Sequence, residues 1–168
     1  GIVALRPHAF GRLRSHPRSA TIEGRRMNIL FVCTGNTCRS PMAEALFRHI
    51  TSDLHDARSA GIAAQAGTSI SEHALLALDE LGIPYEGESK RVDRSQLEWA
   101  ELVLCMQKNH RDVILLDHTD LAGKIRTLAE WACEPESDIA DPFGGDAEEY
   151  RKTRDEIERL IRKGLDLA

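Results

Sequence analysis

VCTGNTCRSP, residues 32–41, places two cysteines, a glycine, an asparagine and an arginine in one short stretch. Before it runs NILFVC (28–33), a continuous apolar run that suits a strand buried on both faces of a parallel sheet. After it comes SPMAEALFRHI (40–50), with Met42, Ala45, Leu46 and His49 or Ile50 at helical spacing. Ser40 is the expected cap of that helix and Pro41 its first helical residue. The stretch therefore joins a buried strand to a helix N-terminus.

The alternation continues outward. ARSAGI (57–62) is expected as a second strand, and SISEHALLALDELGI (69–83) as an amphipathic helix capped by Ser71 and stopped by Gly82. DRSQLEWA (93–100) is a short helix, ELVLCM (101–106) a buried strand and QKNHRDVILLD (107–117) a helix. KIRTLAEW (124–131) begins as a strand and ends in a turn, and residues 146–167 form a long amphipathic helix. Strands alternating with helices predict a single α/β domain with a parallel sheet. The least regular part, ACEPESDIADPFGGD (132–146), is an acidic loop.

The chain has 168 residues and a formal net charge of −5, enough for one substantial core. Residues 1–26 differ from the rest. They lack periodicity, are rich in arginine, and end near IEGR (22–25), which resembles a protease recognition site used to release fusion partners. They are expected to be an expression tag or fusion remnant, with the domain at 27–168; a basic targeting peptide is the rival reading. Setting aside their six arginines and one glutamate leaves 16 basic and 26 acidic residues, a net of −10. That acidity argues against nucleic acid as a partner. No apolar run approaches a membrane span. No signal peptide follows Met27, so a cytoplasmic protein without a disulfide framework is expected, and monomer is the default. The four cysteines, Cys33, Cys38, Cys105 and Cys133, form no CxxC pair, and the histidines are scattered, so no metal site is expected.

The chemistry of the opening stretch follows from its place. A loop beyond the carboxyl end of a parallel strand, leading into a helix, gathers backbone N–H groups and the positive end of the helix dipole around one spot. Cys33 and Arg39 bound this loop as C-x5-R. Gly35 allows a tight turn. Arg39 offers a planar fork for two phosphate oxygens. Positive potential around Cys33 suits a thiolate nucleophile. Ser40 can donate to its sulfur, and Asn36 can tie the loop across itself. Thr34, Thr37 and Cys38 complete the candidate phosphate-binding set. A lone cysteine at a strand end is usually a small core residue, and C-x5-R alone is a weak signal. The full CTGNTCRS between strand and helix is a strong one. DPFGG (141–145) supplies Asp141, held extended by Pro142 and followed by a glycine turn. With a phosphate loop present, Asp141 is the natural general acid.

VCTGNTCRSPMAE resembles the phosphate loop of the low-molecular-weight protein tyrosine phosphatase family. RSAG (58–61), AELVLCM (100–106) and DPFGG extend the resemblance over essentially the whole domain. The resemblance implies a three-layer α/β/α domain with a four-stranded parallel sheet and helices on both faces. It implies a two-step reaction through a phosphocysteine without a metal or other cofactor, acting on phosphorylated proteins. Asp141 would protonate the leaving atom and then activate water.

Two positions depart from the tyrosine phosphatases. Thr37 stands where they usually carry an aliphatic residue, and Phe143-Gly144-Gly145 where they carry two tyrosines after D-P. Both match the protein arginine phosphatase branch of the family. A hydroxyl at Thr37 can accept from a guanidinium where an isoleucine cannot, and a flat guanidinium can stack on Phe143. The alternative for Thr37 is a packed methyl with its hydroxyl on the loop backbone. Three rivals stand beside this reading: a tyrosine phosphatase, a thiol-dependent arsenate reductase, which needs two further relay cysteines, and a non-catalytic phosphoresidue reader. Cys38 is either a resolving thiol for Cys33 or a packed one. Cys105, Cys133, Trp99, Trp131 and the histidines, His110 among them, are expected in packed or solvated roles.

Overall fold

The computed structural model describes residues 25–166, so the expected tag at 1–26 lies outside the described residues except for Arg25 and Arg26. The element order is β1 (Asn28–Cys33), α1 (Arg39–Ile50), β2 (Asp56–Gly61), α2 (Glu72–Asp79), α3 (Arg94–Trp99), β3 (Leu102–Cys105), α4 (Lys108–Asp117), a 3-10 turn (Thr119–Lys124), β4 (Ile125–Thr127), α5 (Leu128–Trp131) and α6 (Ala147–Gly164). The four strands form one parallel sheet in the order β2-β1-β3-β4.

β1 is central and apolar along its length because both faces are covered. Ile29, Phe31 and Cys33 enter the larger core with Met42, Leu46 and Phe47 of α1, Leu78 of α2, Trp131 of α5 and Ile157, Leu160 and Ile161 of α6. Leu30 and Val32 enter the smaller core on the other face, with Leu97 of α3 and Ile114 of α4. The two-residue alternation of side chains divides one apolar run between two cores. The result is the expected three-layer α/β/α domain with a four-stranded parallel sheet. β1 pairs with β2 on one side and β3 on the other, so the connections leave it in opposite directions. The loop after β1 sits at that switch point, where open α/β sheets bind ligands.

Several boundaries differ from the expectation. Ser40 does not cap α1. The helix begins at Arg39, with Cys38 at the cap position and no side-chain cap; the Ser40 hydroxyl turns inward to the Cys33 sulfur instead. α2 is shorter than 69–83, because Ser69 bridges to Glu88 and Ser71 caps the helix by accepting the Ala74 N–H at 3.3 Å. It ends as expected near Gly82, whose φ of +70° lets the Ile83 N–H turn back to the Leu78 carbonyl at 3.1 Å. After β4 the chain forms α5, capped by Thr127, where a turn was expected. Among the described residues no helix is long and apolar enough to cross a membrane.

Candidate active site

The loop from Cys33 to Ser40 closes over the carboxyl end of β1. Asn36 holds its shape. Its φ of 56° lies in the left-handed region that asparagine tolerates better than most residues. Its side-chain amide is fully used: Nδ2 donates to Ser40 Oγ at 2.8 Å and Ser59 Oγ at 2.9 Å, and Oδ1 accepts the Lys90 N–H at 2.8 Å. Because Ser40 Oγ accepts from Asn36, it keeps its own proton for the Cys33 sulfur, 2.9 Å away. The Ala60 carbonyl is a longer alternative acceptor at 3.4 Å. The Asn36 N–H also reaches the sulfur at 3.3 Å. Among the described residues the N–H groups of Gly35, Thr37 and Cys38 meet no protein acceptor, so they remain for an anion. Gly61 of β2 seats the loop: a Cβ there would lie 2.4 Å from the Thr34 carbonyl.

Arg39 is only 2% exposed. Its Nη1 donates to the Ile139 carbonyl at 2.9 Å, and its Nη2 lies 3.6 Å from Asp141 Oδ2. The Ile139 carbonyl thus fixes the guanidinium while Nη2 faces the acid. Asp141 is on a looser segment. Its side chain is 48% exposed, and its Oδ1 accepts the Phe143 N–H at 3.1 Å, a local turn. Phe143 is 78% exposed.

Cys33, Thr34, Gly35, Thr37, Cys38, Arg39, Asp141 and Phe143 line one pocket of about 210 Å³. All were expected in the site. Asn36 and Ser40, also in the candidate set, do not line the pocket: the Asn36 amide ties the loop from behind and the Ser40 hydroxyl meets the Cys33 sulfur, the roles expected of them. Cys38 is buried with its thiol on the Tyr150 hydroxyl at 3.3 Å and Ser71 Oγ at 3.5 Å. Burial and that thiol push Tyr150 up to about 12. Cys33, Cys38 and Cys105 are free thiols, and burial holds Cys105 far above the usual thiol range.

His110 is packed, as expected, but it also reaches the phosphate loop from behind the pocket, a contact that was not foreseen. It sits in the first turn of α4, and its Nε2 is 2.9 Å from Thr34 Oγ1. Pattern reasoning found no ligand spacing around it. The usable signal was its place just beyond β3, whose end lies beside that of β1.

A cysteine sulfur at the base of an anion-binding loop, with a buried arginine and a half-exposed aspartate at the mouth, defines a phosphoryl-transfer class of α/β domain. The chain matches the family described as low molecular weight phosphotyrosine protein phosphatase over residues 28–166, and it belongs to that family. It is 44% identical to a protein-arginine-phosphatase of Geobacillus stearothermophilus over 133 residues, 79% of this chain and 90% of the relative. It is 42% identical to one of Bacillus subtilis over 82% of this chain and 93% of the relative. A low molecular weight protein-tyrosine-phosphatase, PtpB, of Staphylococcus haemolyticus is 36% identical over 82% of this chain and 96% of its own length. Among solved structures, the YwlE arginine phosphatase from G. stearothermophilus superposes with a TM-score of 0.80 at 41% identity, covering 83% of this chain and 91% of that one.

Proposed function

We propose that this chain is a protein arginine phosphatase that hydrolyses phosphoarginine on proteins through a phosphocysteine intermediate. The observation that carries the reading is the pocket wall, where Thr37 and Phe143 stand beside Cys33, Arg39 and Asp141. The names of the arginine phosphatase relatives support it.

In the first step the Cys33 thiolate attacks phosphorus and the P–N bond breaks. Arg39 and the loop N–H groups hold the equatorial oxygens, and Asp141 gives its proton to the leaving guanidine nitrogen. In the second step Asp141, now a carboxylate, takes a proton from water as that water attacks the phosphocysteine. The S–P bond breaks, inorganic phosphate leaves, and the thiolate and the acid are restored. Thr37 supplies an oxygen that can accept a guanidinium N–H, and Asp141, once its proton has passed to the leaving nitrogen, pairs as a carboxylate with the departing guanidinium. The protein is taken to act as a cytoplasmic monomer.

A tyrosine phosphatase is the second reading, favoured by the family's description and the PtpB relatives. An arsenate reductase has less support, since neither Cys105 nor Cys133 lines the pocket to relay a disulfide. The deciding measurement compares kcat/KM on a phosphoarginine protein and a phosphotyrosine peptide, for wild type and Thr37→Ile. Wild type should prefer phosphoarginine, and the variant should lose about tenfold of that preference, the order of one hydrogen bond left unmade. A wild-type preference for phosphotyrosine would return the protein to the tyrosine phosphatases with Thr37 as a packing residue.

A further inference from the structure

Thr34 lies on the exposed rim of the pocket, and its hydroxyl is held from below by a residue the reaction does not otherwise use. His110 is fully buried. Its Nδ1 accepts the Gln107 N–H at 3.1 Å, so the neutral ring carries its proton on Nε2. Nε2 then donates to Thr34 Oγ1 at 2.9 Å. Burial first and Arg39 second hold the ring down to about 4, against the opposing pull of Asp138 and Asp141, so the neutral form is the one present near pH 7.

This fixes what Thr34 can offer. A hydroxyl oxygen has one proton and two lone pairs. His110 takes one lone pair, and among the described residues no other protein hydrogen bond is made by this hydroxyl. One donor and one acceptor remain at the pocket rim. With the opposite tautomer the proton would be spent on the imidazole and only acceptors would remain.

A phosphoguanidine presents the matching pair, a P–O acceptor next to an N–H donor. A phosphotyrosine ester presents P–O acceptors and an apolar ring, with no donor. We propose that Thr34, positioned by His110, is a specificity-determining residue for phosphoguanidine substrates. Its hydroxyl donates to a phosphoryl oxygen and accepts an N–H of the departing guanidine. The proposal rests on the arginine phosphatase reading and adds a second hydroxyl, on a different wall position, to that of Thr37.

The test measures kcat/KM on a phosphoarginine protein and a phosphotyrosine peptide for wild type, Thr34→Val, Thr34→Ser, His110→Leu and the double variant. Valine matches threonine in shape but leaves the buried His110 Nε2–H without its acceptor, so thermal unfolding of each variant is measured beside its turnover, and the ratio of the two substrates is read on folded protein. Thr34→Val should lower turnover of both substrates through the lost donor to the phosphoryl oxygen, and should lower phosphoarginine turnover by about a further three- to tenfold, the loss of the acceptor for the guanidine N–H. Thr34→Ser should restore both. His110→Leu should lower the same ratio, and combining it with Thr34→Val should lower it no further. If His110→Leu does not fold, the Thr34 pair decides alone. Equal losses on both substrates in Thr34→Val, with wild type still preferring phosphoarginine, would overturn this proposal and leave the arginine phosphatase reading standing. A wild-type preference for phosphotyrosine would overturn both.

Discussion

The loop carrying Cys33 and the loop carrying Asp141 meet across one pocket, yet they are held in opposite ways. In the first, Asn36 spends its whole amide on Ser40, Ser59 and Lys90, and Arg39 is anchored by the Ile139 carbonyl. In the second, Asp141 makes one local hydrogen bond and a 3.6 Å contact with Arg39, and Phe143 faces solvent. The anion side is preorganised, because stabilising charge in a transition state works best when the donors need not move. The acid side sits on a lightly held segment, where a change of side chain alters the leaving group that fits and leaves the fold alone.

The most severe way to break this contrast is Cys33→Ser. It should abolish multiple turnover on any phosphate ester while inorganic phosphate still binds, as read by protection of the thermal midpoint. Full residual activity would refute Cys33 as the nucleophile. Asp141→Asn acts on the loose side. It should lower kcat about 10²- to 10⁴-fold, the range for a lost general acid, with an unchanged melting temperature. The loss should shrink for a leaving group that departs without a proton, such as p-nitrophenolate. Uniform losses across leaving groups would deny Asp141 its role as acid.

Asn36→Ala sharpens the comparison from the rigid side. It leaves buried hydroxyl and N–H groups without their partner and puts alanine at a positive φ, so denaturant unfolding should show a loss of about 2–3 kcal/mol. A variant as stable as wild type would mean that the loop keeps its shape without the amide. The smallest effect is a pH dependence. His110 titrates at about 4 in the fold against an ordinary 6.5. Between these values the unfolded chain binds more protons than the native one, so stability rises with pH. The His110 contribution is present above about 6.5 and is lost as pH falls toward about 4. Thermal midpoints across that window should fall more steeply for wild type than for His110→Gln, and equal slopes would remove His110 from the pH response.

The two loops were also unequally legible in the sequence. CTGNTCRS announces itself, since strand, turn and helix signals coincide with the residues the chemistry needs. DPFGG is a common turn, and Asp141 gained meaning only from the phosphate loop elsewhere in the chain. Ser40 was misjudged because a serine before a proline at a helix start is a good cap by local rules. In the fold it is drawn off by two stronger local partners, Cys33 and Asn36. The 69–83 helix was overdrawn because helical periodicity does not register the bridge from Ser69 to Glu88.

The amino-acid sequence alone determined the α/β alternation, the buried central strand and the candidate phosphate loop bounded by Cys33 and Arg39. These are properties of residue type and short-range spacing, which burial and backbone geometry translate directly into structure. Only the tertiary structure decided which groups hold the site. Asn36 is 54 residues from Lys90, Thr34 is 76 from His110, and Arg39 is 100 from Ile139. Such pairs are brought together by the order of strands in the sheet, and a hydrogen bond between residues so far apart leaves no period or motif along the chain.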